Sequence, residues 1–447
     1  MSEREIYLEV QKNLKPSKRD RLSPLDRASD VRNKDFFEVS LGFTDKEAFL
    51  EAERCLNCKN PTCIEGCPVS INIPEFIMAV KYGKIEEAKK VIDHSHAFPC
   101  ITGRVCPQET QCESVCVLQK LGKPVNIGKL ERYVGDKSRL NKKETKYNIP
   151  EFKYSVGIVG SGPASMSLSY DLLNHGVKPV IYEAFDICGG VLNYGIPEFR
   201  LPREVIDFEL NELLNRGMEV HYGSIVGKSI SIDELLERHE FVFIGSGAGL
   251  PKLPNIPGIQ NNIVLTANEF LTRINLLHAN VDGYRTPLPK AENVAVIGGG
   301  NVAMDAARCA KRLYKNTEIF YRRGEEHLSA RIEEIEHAKE EGIKINTNYN
   351  PVQILEDGIV FDVNGEKVAR NFDLVIFAIG TSPNKLMSFK QNMIETLNGL
   401  IVTDQNLKTS RDRVYAGGDI VTGAATVIKA MEMGKIAAES IIKELGV

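Results

Sequence analysis

The chain has 447 residues, of which 43% are hydrophobic, and its formal net charge at pH 7 is −4. This length can bury large cores and suggests about three domains. The charge balance indicates neither nucleic acid nor an anionic membrane as a partner, and we expect neither. Since the first residues are charged and no stretch of about twenty apolar residues occurs, we expect a soluble, cytoplasmic protein.

The first forty residues are polar and lack periodicity, which predicts an extended arm that lies over another part of the molecule. Thr44 and Glu47 fit a capping box and predict the start of a helix. Further helices are predicted at 73–82 and 85–92. We therefore expect residues 1–145 to form a small helical domain.

Eight of the ten cysteines fall in two groups within this domain. They are Cys55, Cys58, Cys63 and Cys67, followed by a proline, and then Cys100, Cys106, Cys112 and Cys116. Clustered cysteines in a cytoplasmic protein are more often metal ligands than disulfides. Zinc ribbons usually have two C-x2-C pairs, whereas this region has one, and its C-x2-C-x4-C-x3-C-P spacing resembles ferredoxin runs. The pattern predicts iron–sulfur clusters, with a zinc site as the alternative.

A polar linker at 140–154 leads into a first β-α-β unit. Its glycine turn contains Gly160 for the tight bend and Gly162 for close approach to a pyrophosphate at the helix N-terminus. Ser165 replaces the usual third Gly or Ala, so we expect slightly looser packing of helix on strand. Glu183 ends the second strand, where an acid can accept hydrogen bonds from a ribose.

A second β-α-β unit spans 293–323, and its turn satisfies G-x-G-x-x-A. The turn residues are Gly298, Gly300, Asn301, Val302 and Ala303. Its second strand ends in Arg322 and Arg323 in place of an acid. Two guanidiniums can bind a 2′-phosphate, so the pair favours NADPH over NADH. The alternative is that the two arginines are only part of a solvent-exposed surface.

Further apolar strands run into glycines, one at Gly380 and one at Gly418-Asp419. The Gly418-Asp419 segment is expected to contact a flavin's ribityl and phosphate groups. Thr426 and Val427 are predicted to open the next helix, under the flavin ring. No C-x-x-C accompanies these motifs, which argues against a dithiol reductase of the thioredoxin reductase kind.

Together these motifs resemble the small (β) subunit of NADPH-dependent glutamate synthase. Relatives are the N-terminal part of dihydropyrimidine dehydrogenase and the large subunit of NADH-dependent ferredoxin:NADP oxidoreductase. The most specific segments are RCLNC (54–58), GRVCP (103–107), VLNYGIPEFRLP (191–202) and GGD (417–419). The resemblance implies an α/β fold with two Rossmann-like domains, for FAD and NADPH, after a helical domain with two [4Fe–4S] clusters. It places the FAD domain at 150–285 and 385–447, and the NAD(P)H domain at 286–384.

The resemblance also implies crossed cluster ligands. One cluster takes Cys55, Cys58, Cys63 and Cys116; the other takes Cys67, Cys106, Cys112 and a non-cysteine ligand, for which Glu131 is suited and Cys100 is not needed. The residues expected to bind FAD or NADPH are Gly160, Gly162, Pro163, Ser165, Glu183, Gly190, Leu192, Arg200, Gly298, Gly300, Asn301, Val302, Ala303, Arg322, Arg323, Gly380, Gly418, Asp419, Thr426 and Val427.

The implied function is a subunit that carries electrons from NADPH through FAD and the clusters to a partner holding the FMN and substrate sites. No acid or base residue is expected to take part. Two alternatives remain. The first is a diaphorase subunit that serves ferredoxin, sulfur or a dihydropyrimidine partner, with or without electron bifurcation. The second is a zinc-stabilised interaction domain fused to a simple flavin reductase.

Overall fold

The computed structural model describes residues 2–142, 149–384 and 393–447, so the middle of the expected linker and the expected domain boundaries at 145 and 385 lie outside the described residues. The helices are α1 Glu3–Lys12, α2 Ser29–Arg32, α3 Asp45–Ala52, α4 Thr62–Glu65, α5 Ile73–Lys81, α6 Ile85–Asp93, α7 Pro99–Val105, α8 Ile127–Asn141, α9 Pro163–Asn174, α10 Val191–Tyr194, α11 Arg203–Asn215, α12 Ile232–Arg238, α13 Ala267–Asn275, α14 Asn301–Leu313, α15 Ile332–Glu340, α16 Asp419–Thr422 and α17 Val427–Leu445.

The strands form two five-stranded parallel sheets and smaller antiparallel ones. They are β1 Tyr154–Val159, β2 Val177–Tyr182, β3 Glu219–His221, β4 Phe241–Ile244, β5 Leu250–Pro251, β6 Val264–Thr266, β7 Asn293–Ile297, β8 Asn316–Tyr321, β9 Lys344–Thr347, β10 Asn350–Ile354, β11 Gly358–Val363, β12 Glu366–Asn371, β13 Leu374–Phe377, β14 Thr381–Ser382, β15 Thr396–Leu397, β16 Leu400–Ile401 and β17 Val414–Ala416.

The N-terminal region is helical, as expected, but its first residues are not an extended arm. They form α1, which begins with a capping box between Ser2 and Glu5. The prediction missed this helix because only Leu8 and Gln11 are buried, which is too few to set a period. The capping box of Thr44 and Glu47 opens α3 as predicted.

The N-terminal segment does lie over another part of the molecule, as expected. Arg32 reaches the second nucleotide domain, where its Nε is 3.2 Å from Glu341 Oε1. Arg308 and Arg312 bind the same carboxylate at 2.7 and 2.8 Å. This buried ion network fixes the segment on α14 and on the end of α15.

The first sheet has the order β17-β4-β1-β2-β3. Strand β4 is completely buried, as expected for a parallel sheet with both faces covered. Strand β17 comes from the C-terminal part of the chain and pairs with β4, so the sheet is interrupted in sequence by the second one. Three strands of this sheet end at glycines on one edge, Gly160, Gly245 and Gly417, which leaves room there for a ligand.

The second sheet has the order β6-β13-β7-β8-β9. We expected this domain to begin at 286, but β6 at Val264–Thr266 already belongs to the sheet through its pairing with β13. A three-residue strand carries too little periodicity to be assigned from sequence. The antiparallel strands β10, β11 and β12 pack beside this sheet through an aromatic cluster that includes Phe320 and Phe361, whose ring centroids are 4.5 Å apart.

Candidate functional site

Two groups of candidate metal ligands are called the first and second ligand groups below, and the first consists of Cys55, Cys58, Cys63 and Cys116. These four side chains line one cavity, and Cys116 comes to it from more than fifty residues further along the chain. The loop after α3, helix α4 and the residue before the 3₁₀ helix at Val117–Leu121 bring them together. Apolar residues complete the wall: Leu56, Ile73, Ile77, Val117, Leu118, Val125 and Ile127.

The thiols of this group are close enough to affect one another. Burial, together with the neighbouring Cys55 and Cys116, raises the pKa of Cys63 to about 12. A thiol with so high a pKa is not a reactive nucleophile at neutral pH, whereas a bound metal centre deprotonates its ligands and removes this cost. The donor chemistry therefore fits an iron–sulfur cluster.

The second ligand group consists of Cys67, Cys106, Cys112 and Glu131, and all four side chains are buried. Burial raises the pKa of each of the three thiols, that of Cys67 to about 11, and the Glu131 carboxylate raises it further in every case. The structure thus brings together the residues that the resemblance assigned to the second cluster.

Glu131 is held through one of its two oxygens. His96 Nε2 is 3.2 Å from Glu131 Oε1, and the Thr102 hydroxyl is 2.5 Å from the same atom. The backbone N–H of Phe98 donates to His96 Nδ1, which assigns the ring proton to Nε2 and makes His96 a donor to Glu131. Glu131 Oε2 remains available for a metal.

Cys100 lies elsewhere. It is fully buried on α7, beside the Glu209 carboxylate on α11 of the first nucleotide domain. Burial raises the pKa of Glu209 to about 7. Cys100 therefore belongs to the contact between two domains and is not drawn into either ligand group.

The zinc alternative requires thiols much closer together. With Zn–S bonds of about 2.3 Å, tetrahedral ligands are about 3.8 Å apart. Among the described residues, only one group of three or more His, Cys, Asp or Glu side chains has its donor atoms within 4.8 Å of one another. That group is Asp26, Glu333 and His337, so no three thiols lie that close together. The wider spacing of the thiols fits a larger inorganic core.

The first glycine turn has the geometry that was predicted. Gly160 has φ +85°, and a side chain there would contact the backbone of Gly245. At Gly162 a Cβ would meet open space, so the backbone is accessible at the N-terminus of α9. Ser165 is fully buried against Gly245. A Cβ added at Gly245 would be only 2.5 Å from the Oγ of Ser165, so the glycine makes room for the serine hydroxyl.

Glu183 lies beside this turn at the end of β2. Its Oε2 accepts from the N–H and the hydroxyl of Ser161, and its Oε1 accepts from the N–H of Phe185. A carboxylate has about four acceptor positions, so one more donor can be accommodated. Ser161 was missed from the sequence, because the central residue of the turn is not constrained by the G-x-G-x-x-G pattern.

The other residues expected around the flavin surround the same edge of the sheet. Gly190 lies against Gly162, because a Cβ added at Gly190 would be 3.0 Å from the Cα of Gly162. Leu192 is buried on α10. Gly418 has φ +78° and precedes Asp419, whose carboxylate accepts from the N–H of Ala425. Pro163 opens α9, and Thr426 caps α17, which begins at Val427.

Arg200 was expected to contact a cofactor, and its guanidinium instead joins two domains. It is 2.7 Å from Asp305 and 3.0 Å from Glu334, both in the second nucleotide domain. The arginine and both acids are almost fully buried. Sequence alone could not show this pairing, because the partners are more than a hundred residues away.

The second glycine turn is also formed as predicted. A Cβ at Gly298 would come within 2.3 Å of the Ala378 carbonyl oxygen, so the turn requires glycine there. Gly300 caps α14, which begins with Asn301, Val302 and Ala303. Gly380 follows β13 on the same edge and has φ +103°, with open space around its Cα.

Arg322 and Arg323 follow β8 at this edge, and both are exposed. Among the described residues neither guanidinium is paired with a carboxylate; that of Arg323 lies 5.5 Å from the ring centroid of Tyr321. Both side chains are therefore accessible to a phosphate. Within the described residues no helix has both the length and the apolar composition needed to cross a bilayer.

Comparison with known proteins agrees with this arrangement. The family model for dihydropyrimidine dehydrogenase domain II with a 4Fe-4S cluster matches residues 32–143, and that for pyridine nucleotide-disulphide oxidoreductase matches residues 154–434. The glutamate synthase [NADPH] small chain of Azospirillum brasilense is 32% identical, covering 94% of this chain and 93% of its own. That of Escherichia coli (strain K12) is 30% identical, covering 96% of this chain and 98% of its own.

A further relative is the NAD-dependent dihydropyrimidine dehydrogenase subunit PreT of Escherichia coli (strain K12), 31% identical over 90% of this chain and 96% of its own. Among solved structures, the thioredoxin reductase of T. acidophilum has a TM-score of 0.52 at 20% identity, covering 66% of this chain and 99% of that one, which shows a shared fold. The chain belongs to the family of glutamate synthase small chains and their relatives, and it is an NAD(P)H-dependent oxidoreductase with FAD and iron–sulfur centres.

Proposed function

We propose that the chain is the NADPH-oxidising subunit of a glutamate synthase. In this role it passes electrons from NADPH through FAD and two [4Fe–4S] clusters to a partner subunit that holds the substrate site. The observation that carries the proposal is the presence of two separate ligand groups beside two nucleotide turns in one chain. Bound FAD supplies the conversion of a two-electron hydride into single electrons, while the protein orients and tunes it.

The two ligand groups differ in exposure, which supports a direction of electron flow. The cysteines of the first group are half-buried, and those of the second group are buried. We therefore assign the first group to the exit, where electrons leave for the partner. Leu56, Val115 and Val117 are exposed beside it and offer an apolar contact surface.

The exposed pair Arg322 and Arg323 supports NADPH as the electron donor. A charge-assisted contact to a phosphate contributes about 1.5–3 kcal/mol, or roughly 10- to 150-fold in binding. Replacing both arginines by glutamine is expected to raise the KM for NADPH by about this factor. NADH has no 2′-phosphate, so its turnover in dye reduction serves as the internal control and is expected to change little.

The test of the proposal begins with the composition of anaerobically purified protein. We expect FAD, iron and acid-labile sulfide in amounts that correspond to two four-iron clusters. Zinc without sulfide would contradict the proposal. Co-purification with a glutamate synthase large subunit, and NADPH-dependent glutamate formation by the pair, would support the assigned partner. A wild-type preference for NADH, as the name of the PreT relative suggests for that protein, would favour a diaphorase or bifurcating subunit instead.

A further inference from the structure

The loop before α15 is bonded to the second nucleotide turn. The N–H groups of Ser329 and Ala330 both donate to the Gly299 carbonyl, at 2.9 and 3.1 Å. The N–H of Arg331 donates to the side-chain oxygen of Asn301, at 2.9 Å. Asn301 is the first residue of α14, so the position of Arg331 is fixed by the turn itself.

The side chain of Arg331 extends from this loop into the helical domain. Its Nη1 donates to the Arg104 carbonyl at 2.9 Å, and its Nη2 donates to Gln108 Oε1 at 3.0 Å. Cys106, a member of the second ligand group, lies between these two residues in sequence. With a side chain only 6% exposed, Arg331 holds this segment from both sides of the cysteine.

Two carboxylates face the guanidinium. Arg331 is 2.9 Å from Glu333 Oε2 and 3.5 Å from Glu109 Oε1, and Lys129 binds the other oxygen of Glu333 at 2.6 Å. Burial alone would lower the pKa of Arg331, but these carboxylates raise it, so the guanidinium stays charged. Burial raises the pKa of Cys106, and the charge on Arg331 opposes that change.

We propose that Arg331 is a positioning residue for electron transfer: it fixes the Cys106 segment against the nucleotide turn and raises the reduction potential of the cluster bound there. This inference rests on the proposed function. Reduction adds one negative charge to a buried centre, and a nearby buried cation stabilises the reduced form. The nucleotide domain thereby contributes to the electron affinity of a cluster in another domain.

The charges around Cys106 give two variants with opposite expected effects. Arg331→Met removes the cation that faces Glu109 and Glu333, so the potential of one cluster should fall. Glu109→Gln removes a carboxylate, so the same potential should rise. Arg331→Lys keeps the charge and should lie closer to the wild type than Arg331→Met does. For Arg331→Met we expect a change of about tenfold in the ratio of reduced to oxidised cluster, or 59 mV for one electron.

The measurement is a redox titration of the holoprotein followed by electron paramagnetic resonance, with iron and sulfide assayed in each sample. Arg273→Met is the matched control, because Arg273 lies in the same domain but pairs with Glu269 on its own helix, at 2.6 Å. Its potentials should equal those of the wild type.

Fully loaded Arg331→Met protein with wild-type potentials would overturn the inference. If Arg331→Met does not fold, the Glu109→Gln variant provides the test. A cluster potential in Glu109→Gln that is equal to or lower than that of the wild type would overturn the inference. Wild-type protein without iron and sulfide would overturn the proposed function itself, which distinguishes the two failures.

Discussion

The two ligand groups differ in both their chemistry and their surroundings. The first has four cysteines, half-buried around a cavity of apolar residues. The second has three buried cysteines and Glu131, with His96, Thr102 and Arg331 around them. A ligating carboxylate is held by hydrogen bonds from the groups around it, and burial adds the need for nearby charges that balance the centre. The second site therefore depends on a side chain of the second nucleotide domain, Arg331, as well as on the helical domain.

The largest expected effect comes from breaking the first group alone. Cys63→Ser should remove that cluster and about half of the iron, because the three other thiols cannot complete the site. The second cluster should survive, because Cys67 belongs to the other group although it is only four residues away. Iron and sulfide analysis measures the loss, and Cys100→Ser, which is expected to keep full iron, is the control. Loss of all iron in Cys63→Ser would show that the groups are not independent.

Glu131 tests the chemistry of the second group. Glu131→Ala removes the only oxygen donor assigned to the clusters and should lose one cluster or change its spectrum, while the first remains. Glu131→Cys should restore a cluster with an altered potential, since a thiolate replaces a carboxylate. Electron paramagnetic resonance of the reduced protein reports both outcomes. If Cys100→Ser loses as much iron as Glu131→Ala, the assignment of the fourth ligand is wrong.

A smaller effect is expected from His96, which orients Glu131 without being assigned as a ligand. Removing a residue that orients a ligand typically costs about 10- to 100-fold in metal affinity. His96→Ala should therefore lose iron from one cluster faster in the presence of a chelator, with its initial cluster content close to normal. His94→Ala is the matched control, because His94 is exposed two residues away. Equal rates for the two variants would contradict the orienting role.

The parts of the molecule with local signals were predictable from sequence. The capping box of Thr44 and Glu47 fixes the start of α3, and the turns at Gly160 and Gly298 have a positive φ, which is a local preference for glycine. The crossed ligand sets came from resemblance, since spacing alone cannot say which thiols meet.

The remaining features depend on contacts between distant residues. Arg331 binds Arg104 and Gln108, more than two hundred residues away, and nothing in its own segment indicates this. Arg200 stands in a motif typical of flavin sites, yet its charge is balanced by Asp305 and Glu334. Buried arginines of this kind are visible only once the domains are packed together.

The smallest effect is expected from Glu209, which lies beside Cys100 at the contact between two domains. Burial raises the pKa of Glu209 to about 7 in the folded protein, above the ordinary value of 4.5. Its contribution to stability is thus fully present below pH 4.5 and is lost as the pH rises through about 7, because the folded state must then hold a buried charge. Glu209→Gln should remove this pH-dependent loss in the free energy of unfolding, which is about 1 to 3 kcal/mol.

Thermal unfolding of the holoprotein provides the measurement. At pH 8 the Glu209→Gln variant should melt a few degrees above the wild type, and this difference should shrink steadily as the pH falls towards 4.5. Glu204→Gln is the control on the same helix, because the Glu204 side chain is 71% exposed. A difference between wild type and Glu209→Gln that is independent of pH would mean that Glu209 acts on Cys100 through packing, and not through its charge.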